Sequence, residues 1–267
     1  MLYGVLYGDI AGSTYEFRSV TNYNFTTIPP KSRFTDDTVM TCAVASWLML
    51  DKDNPNILVQ EMQRLGNMYE KAGYGGMFRK WLKANNPKPY NSFGNGSAMR
   101  VSPCAWIAKS LEEAEELAKV SASVTHNHPE GIKGAQAVAA AIYLALEGKS
   151  KEDIKEYVEE TYGYDLNRTV DDIVADGYSF DSTCQGSVPE AIIAFLDGEN
   201  YEDVVRKAIY LGGDADTQAA IAGSIAEAYY DLPKYVENRV NKYVDEPLLY
   251  IVEKFNEFCN EEFSNRT

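Results

Sequence analysis

Positive charge is scarce in this chain. Its 267 residues include 25 lysines and arginines against 40 aspartates and glutamates, which gives a formal net charge of −15 at pH 7. Proteins that bind the phosphate backbone of nucleic acids carry clustered lysine and arginine, so we expect no binding of that kind. A small anionic ligand is compatible with this balance, because backbone amides and bound metals can supply positive potential locally.

Cysteine and long apolar runs are also scarce. Cys42, Cys104, Cys184 and Cys259 are scattered without a CxxC pair, which disfavours a zinc site or a disulfide framework and predicts buried free thiols. No apolar stretch approaches the length of a membrane span, and the short N-terminal apolar run has no basic residues before it. We therefore expect a cytoplasmic protein without membrane segments.

Histidine and strand-like patterns are nearly absent. His126 and His128 are the two histidines of the chain, and no third soft ligand lies near them in sequence, which disfavours zinc binding. Period-two alternation of apolar residues is not sustained, although residues 23–28 could be extended. No linker, low-complexity run or internal repeat divides the chain. The sequence predicts one all-α domain over residues 1–267.

Helix signals dominate what is present. An apolar stripe predicts a helix over residues 38–50, and a dense run of alanines predicts a closely packed helix over 132–146. Ser150 and Asp153 form a capping box that opens the next helix, which runs to Gly163. Further helices are predicted over 190–196 with Pro189 in the first turn, over 201–210, over 218–230 and after Pro247.

Two acidic clusters lie far apart in the chain, each just ahead of a predicted helix. The first is Thr35-Asp36-Asp37-Thr38, and the second is Gly212-Gly213-Asp214-Ala215-Asp216-Thr217. Helix capping by an aspartate is one interpretation, but a cap needs one carboxylate and each cluster has two, which repel each other unless a cation lies between them. Oxygen ligands of this kind suit Mg²⁺ or Mn²⁺ better than zinc. The pattern therefore favours a pair of metals between the two clusters.

The first residues of the chain form a glycine-rich segment. Gly4, Gly8 and Gly12 fall on one helical face and would allow close packing against another helix. Asp9 lies in this segment and is interpreted as a buried, hydrogen-bonded carboxylate. Glu16 follows Gly12 on the same i+4 row, at the end that faces a loop, and by spacing alone it could equally be a surface residue.

The stretches 18–35 and 73–103 are predicted to be rich in loops, which often carry binding residues. Within the second stretch, Gly73-Tyr74-Gly75-Gly76 and Asn91-Ser92-Phe93-Gly94-Asn95-Gly96-Ser97 can turn tightly and bring backbone amides close to an anion. Such segments are more often simple turns. Phe93 is interpreted either as a stacking platform for a base or as a core residue.

Taken in order, these motifs resemble those of the ADP-ribosylglycohydrolases, a family that includes the dinitrogenase-reductase-activating glycohydrolases and the serine-linked ADP-ribose hydrolases. The resemblance covers nearly the whole chain and rests on GDIAGSTYE, FTDDTVMT, the GYGG turn, SFGNGSAMRVSP, THNHPEG and GGDADTQAAIAG. It implies an orthogonal helical bundle with a dinuclear Mg²⁺ or Mn²⁺ centre in a cleft. It also implies hydrolysis at the ribosyl C1″ of ADP-ribosylated proteins, serine- or arginine-linked, or of related ADP-ribosides.

The same resemblance assigns roles by motif match. The metal ligands that it implies are Thr35, Asp36, Asp37, Asp214, Asp216 and Thr217. Glu16 matches a glutamate that lies beside the metals, and Glu16, Asp36 and Asp37 are the candidates for moving a proton. The ligand-binding residues that it implies are Gly75, Ser92, Phe93, Gly94, Asn95, Gly96 and His126.

Two positions depart from the family pattern. Ala215 stands where a threonine is common, and Gln218 stands where an aliphatic residue is common. Ala215 is not a ligand position, so the metals should be retained, whereas Gln218 could reach into the cleft and change the substrate preference. Two other functions stay open: a metal-dependent hydrolase of a small ADP-ribose derivative or nucleotide, and a relative that binds ADP-ribose without cleaving it. We expect a monomer.

Overall fold

The computed structural model describes residues 1–264, with side chains through residue 261, and this part of the chain is built from helices. No strand occurs in it, and one isolated antiparallel bridge joins Gly94 to Thr183. The helices are α1 (Tyr3–Gly12), α2 (Asp36–Asp51), α3 (Pro55–Met68), α4 (Gly76–Leu82), α5 (Ser102–Ile107), α6 (Leu111–Ser123), α7 (Pro129–Leu146), α8 (Lys151–Tyr162), α9 (Val170–Ala175), α10 (Cys184–Asp197), α11 (Tyr201–Tyr210), α12 (Ala215–Tyr229), α13 (Lys234–Tyr243) and α14 (Glu246–Ser264). The all-α fold class is confirmed.

Helices α1 and α12 pack closely against each other, as the glycine spacing of α1 permits. Side chains added at Gly4, Gly8 and Gly12 would collide with backbone atoms of Gly223, Ala219 and Ala215. The two backbones can therefore approach only because these α1 positions lack a Cβ. This contact aligns the end of α1 with the start of α12, where the second acidic cluster lies.

The glycine contact leads to a prediction about stability. We expect Gly8→Ala to lower the free energy of unfolding by about 1–3 kcal/mol or more, the usual cost of overpacking, because the new methyl group meets immobile backbone of α12. Urea unfolding followed by circular dichroism measures this loss. Gly76→Ala is the matched control, because a Cβ there has nothing within 4 Å and alanine favours helix more than glycine does. Equal stability of the two variants would contradict the packing argument.

The alanine-rich helix α7 also packs as predicted. Its small residues are buried, and the helix lies against α5, α6, α8, α10 and α12. The predicted capping box is present as well, since Ser150 and Asp153 each accept the backbone N–H of the other, and α8 ends at Gly163 in the left-handed conformation. Local sequence signals were therefore sufficient to predict the close packing of α7 and the start and end of α8.

Three expectations about helix boundaries were wrong. Pro189 does not open a helix but lies inside α10, whose start is capped by the Thr183 hydroxyl. The proline is the sixth residue of α10, past the first turn, so it removes the intrahelical bond that a backbone N–H at this position would make. Helices α2 and α12 begin two and three residues earlier than predicted, at Asp36 and Ala215. The clusters therefore extend into the first turns of these helices, where acidic side chains are stabilised by the helix dipole.

The two loop-rich stretches differ from each other. Residues 18–35 contain no helix, as expected, whereas α4 lies within 73–103 and α5 begins at its end. Residues 23–28 form no strand. No helix in the described part of the chain is both long and apolar enough to span a bilayer.

Candidate active site

Carboxylates from three distant parts of the sequence meet at the open end of the bundle. Asp9 comes from α1, Asp37 from the first turn of α2 and Asp216 from the first turn of α12, and carboxylate oxygens of these three lie within 4.8 Å of one another. Glu16, Asp214 and Asp216 form a second such group at the same spacing. Asp216 belongs to both groups and joins them.

This acidic cluster contains an oxygen that the protein leaves unsatisfied. The Asp37 side chain is buried, and its Oδ1 has no hydrogen-bond partner among the described residues. Its Oδ2 accepts from the Thr217 hydroxyl at 3.4 Å and lies 3.2 Å from the Thr35 hydroxyl, whose proton is shared with the nearer Asp9. A buried carboxylate oxygen without a partner is costly unless a cation compensates it. The cluster therefore fits a metal ion, and its all-oxygen donor set is the type that hard divalent cations prefer.

Burial and mutual repulsion hold protons on these carboxyls. Desolvation, followed by the neighbouring carboxylates, raises the pKa values of Asp36, Asp37 and Asp216 well above the usual range for aspartate. Desolvation also raises the pKa of Asp214 to about 6, and desolvation with the nearby Asp216 raises that of Glu16 to about 7. A divalent cation would replace these protons and relieve the repulsion.

Asp9 holds the first cluster in place. It is fully buried, and its carboxylate accepts the backbone N–H and the hydroxyl of both Thr35 and Thr38, at 2.5–3.1 Å. The interpretation of Asp9 as a buried, hydrogen-bonded carboxylate is confirmed. Its approach to Asp37 and Asp216 was not anticipated, because no local signal in the sequence indicates which helix α1 packs against.

The cap of α2 is Thr35, not an aspartate. Its hydroxyl accepts the backbone N–H of Asp37 at 3.3 Å, so the alternative interpretation, in which Asp36 or Asp37 caps this helix, is excluded. Both carboxylates are thereby left available for other contacts. Asp36 sits beside Gly73, whose φ of +123° and absent side chain admit the Asp36 carboxylate. The glycine turn thus touches the first acidic cluster.

A cavity of about 780 Å³ opens over the acidic cluster. Its wall includes every proposed site residue except Thr35, which lies behind the wall. The acidic side chains occupy one part, and the loop around Ser92–Gly96 occupies another. The wall residues proposed from the sequence are Glu16, Asp36, Asp37, Gly75, Ser92, Phe93, Gly94, Asn95, Gly96, His126, Asp214, Asp216 and Thr217.

The proposed ligand loop is tied directly to the acidic cluster. The Asn95 amide donates to Asp214 Oδ2 at 2.8 Å and to the Ser187 hydroxyl at 3.1 Å. The backbone N–H of Asn95 donates to the Ser182 carbonyl at 2.8 Å. Asn95 therefore fixes the loop relative to the second cluster, which brings the two halves of the cavity into one rigid arrangement.

The structure decides the positions of Phe93 and Gln218, which the sequence left open. Phe93 is 45% exposed on the cavity wall, and its ring is in a T-shaped arrangement with that of His128, with ring centroids 5.2 Å apart. The interpretation of Phe93 as a core residue is therefore excluded. Gln218 is fully buried outside the cavity wall, and its amide donates weakly to the Tyr178 hydroxyl at 3.4 Å. The sequence left open whether Gln218 reaches into the cleft; it does not, because its position on α12 directs it toward Tyr178.

An aromatic pair that was not predicted lies at the cavity mouth. Phe17, 82% exposed, stacks on Phe180, 48% exposed, with ring centroids 5.6 Å apart. Phe17 follows Glu16 directly, and Phe180 lines the cavity. The pair connects the segment that carries Glu16 to residues 178–183. No motif in the sequence marked residues 178–183, because their place at the site depends on tertiary packing alone.

The chain is similar to several known proteins. Residues 1–258 match the profile of the ADP-ribosylglycohydrolase family. The proteins named ADP-ribosylhydrolase ARH3 from Mus musculus and Homo sapiens are each 29% identical to the chain over 315 residues, covering 89% of it and 84% and 86% of the relatives. ADP-ribosylarginine hydrolase Tri1 from Pseudomonas putida (strain GB-1) is 31% identical over 158 residues, which cover 54% of the chain and 41% of that relative.

A solved structure shares the fold. A chain of an ADP-ribosylglycohydrolase-related protein complex superposes with a TM-score of 0.73 at 24% identity, covering 97% of this chain and 96% of the other. At that level of identity the likeness establishes the helical architecture alone.

Proposed function

Because this chain belongs to the ADP-ribosylglycohydrolase family, we propose that it hydrolyses the ribosyl C1″ bond of an ADP-ribosylated protein or a related ADP-riboside, with two divalent cations, Mg²⁺ or Mn²⁺. The proposal rests on one observation. Two sets of three carboxylates, which share Asp216, lie at one side of a cavity, and a glycine-rich loop forms its other side. Serine- and arginine-linked substrates are both candidates.

The residues proposed to hold the cations are those of the two acidic clusters. Asp36, Asp37, Asp214 and Asp216 supply carboxylates, and the hydroxyls of Thr35 and Thr217 lie next to Asp37. When bound, such cations orient hydroxyl groups and water and stabilise negative charge. The Asp37 Oδ1 supports this assignment, because it has no hydrogen-bond partner among the described residues and is free to bind a cation.

Glu16 is proposed to move the proton. In the metal-free protein, burial and Asp216 raise the pKa of Glu16 to about 7, and a carboxyl with a raised pKa in a cleft is a candidate for general acid–base catalysis. Cleavage at C1″ passes through a state with positive charge on the sugar ring. The surrounding carboxylates stabilise that charge, and Asp36 and Asp37 are the alternative groups for the proton.

The glycine-rich loop is proposed to hold the diphosphate and adenosine end of the ligand. Gly75, Ser92, Gly94, Asn95, Gly96 and His126 line that part of the cavity together with Phe93. Glycine residues let backbone amides approach an anion without interference from side chains. Local amides thus offset the overall negative charge of the protein.

Phe93 provides a test of the adenosine end. If its exposed ring stacks on adenine, Phe93→Ala should weaken ADP-ribose binding by about 1–3 kcal/mol, the range for base–aromatic stacking. Turnover at saturating substrate should change less, because the ring lies away from the reacting bond. Calorimetric titration with ADP-ribose measures the effect, and Tyr250→Ala, at an exposed aromatic that does not line the cavity, is the control. An unchanged ADP-ribose affinity in folded Phe93→Ala would remove the stacking role.

One experiment separates the proposed function from its alternatives. A single purified sample is assayed on arginine-linked peptides, serine-linked peptides and small ADP-ribosides, with Mg²⁺, with Mn²⁺ and with a chelator. We expect ADP-ribose release from at least one peptide linkage, and only when a divalent cation is present. Release from small ADP-ribosides alone would assign the protein to small-molecule metabolism. Binding of ADP-ribose without any release would identify a binding protein.

A further inference from the structure

A buried arginine lies behind the ligand loop without a carboxylate partner. Arg100 is 1% exposed and forms no ion pair within the described residues. Its Nη1 donates to the Gly96 carbonyl at 2.9 Å, and its Nη2 donates to the Ser121 carbonyl at 2.6 Å and to the Thr125 hydroxyl at 3.0 Å. Burying a cation without an anion costs free energy, so the groups that Arg100 contacts indicate which part of the site its charge influences.

The Thr125 hydroxyl links Arg100 to His126, the residue that follows Thr125 in the sequence. Since arginine only donates hydrogen bonds, this hydroxyl oxygen accepts from Arg100 and has one proton to give. Two acceptors are in reach, His126 Nδ1 at 2.6 Å and the Ala122 carbonyl at 3.5 Å. The Ala122 carbonyl already accepts the backbone N–H groups of Thr125 and His126. The hydroxyl proton therefore goes to His126 Nδ1.

This contact determines where His126 carries its own proton. A neutral imidazole that accepts at Nδ1 has its proton on Nε2. Burial, and then the charge of Arg100, lower the pKa of His126 well below its usual value, so the ring is neutral at pH 7. The result is a single tautomer with an N–H donor at Nε2.

The Nε2 atom faces the loop that the proposed function assigns to the diphosphate. His126 lines the cavity, and a Cβ built at Gly96 or Gly94 would lie 3.2 Å or 3.6 Å from its Nε2. In the described part of the chain, Nδ1 is engaged by Thr125, whereas Nε2 points to positions that have no side chains. A ligand oxygen at this loop is therefore within reach of the donor.

We propose that Arg100 and Thr125 are positioning residues that hold His126 in the Nε2-protonated, neutral tautomer, so that it donates a hydrogen bond to an anionic oxygen at the Gly94–Gly96 loop. The tautomer follows from the protein contacts alone. The identity of the oxygen as part of a diphosphate rests on the proposed function.

The tautomer can be measured without any ligand. Nuclear magnetic resonance of protein labelled with ¹⁵N-histidine distinguishes a protonated from an unprotonated ring nitrogen, and the chain has two histidines to assign. His128→Asn assigns the spectrum while keeping a good helix cap. We expect wild-type His126 protonated at Nε2, a mixture of tautomers in Thr125→Val, and the wild-type pattern in Thr125→Ser. Protonation of Nδ1 in the wild type, or an unchanged tautomer in folded Thr125→Val, would overturn the proposal. Thr125→Ala replaces the valine variant if that does not fold.

A binding measurement then tests whether the Nε2 proton of His126 donates to an anionic oxygen of the ligand. We expect Thr125→Val to weaken ADP-ribose binding by about 10- to 100-fold, the loss of one hydrogen bond to a charged group, and to leave adenosine, which has no phosphate, unaffected. Thr125→Ser should restore the affinity. Equal weakening for ADP-ribose and adenosine would contradict the inference. If wild-type protein binds no ADP-ribose, the proposed function fails while the spectrum still decides the tautomer.

Discussion

Replacing Asp216 with asparagine is expected to reduce hydrolysis to the level of the wild-type enzyme in a chelator. Asp216 has oxygens within 4.8 Å of both Asp9 and Asp37 in one group and of both Glu16 and Asp214 in the other. Removing its charge therefore weakens both proposed cation sites at once, which no other single substitution in the cluster does. The asparagine keeps the shape of the side chain, so the loss reports charge.

The measurement is ADP-ribose release at a series of metal concentrations. Glu190→Gln is the matched control, because Glu190 is another buried carboxylate with a pKa raised by burial, but it pairs with Arg168 away from the cavity. The control should keep its activity. Substantial activity of folded Asp216→Asn at ordinary metal concentrations would show that the two sets of carboxylates around Asp216 do not form the metal centre.

Replacing Glu16 with glutamine is expected to lower the turnover rate by about 10²- to 10⁴-fold, the usual contribution of general acid–base catalysis. The amide keeps the size and hydrogen bonding of the side chain but cannot exchange a proton. If proton transfer by Glu16 limits the rate, the wild-type rate should follow the protonation of Glu16 as pH changes, and the variant should lose that dependence. Affinity for metal and for ADP-ribose should be nearly unaltered.

The metal dependence of the Glu16→Gln variant separates two roles. A rate deficit at every metal concentration supports proton transfer. A deficit that excess Mg²⁺ or Mn²⁺ repairs would identify Glu16 as a metal ligand, which its place beside Asp214 and Asp216 would also permit. Full activity on every linkage would remove Glu16 from the mechanism and leave Asp36 and Asp37 as the candidates.

The features that the sequence predicted correctly have local or periodic causes. The capping box at Ser150 and the alanine content of α7 are readable over a few turns, and the glycine row of α1 specifies close packing without naming its partner. The acidic clusters could be singled out because two adjacent carboxylates exceed what a helix cap requires. The placement of both clusters in one cavity agrees with that interpretation.

The features that the sequence did not predict arise from contacts between distant residues. Asp9 was correctly interpreted as a buried carboxylate, but its closeness to Asp216 depends on the packing of α1 against α12. Gln218 faces Tyr178 instead of the cleft because of the orientation of α12. Arg100 carries no motif of its own, and its link to His126 appears only when α6 and the ligand loop come together.

The pKa shifts give the metal-free protein a definite dependence of stability on pH. A carboxyl whose pKa is higher in the folded state than in the unfolded state stabilises the fold most when it is protonated in both, below the unfolded value of about 4. That contribution is lost as pH rises toward the folded pKa, about 6 for Asp214 and about 7 for Glu16. The metal-free protein should therefore become less stable between about pH 4 and pH 7.

Scanning calorimetry with and without Mg²⁺ or Mn²⁺, at about pH 5 and about pH 8, tests the metal centre most directly. Cation binding to the folded state at a hundredfold excess over Kd adds about 2.7 kcal/mol, which for a chain of this size raises Tm by roughly 5–10 °C. We expect that gain at the higher pH, a smaller one at the lower pH where protons compete, and little in Asp216→Asn. A wild-type Tm that divalent cations leave unchanged at the higher pH, or an equal gain in Asp216→Asn, would contradict the assignment of the acidic cluster as a metal site.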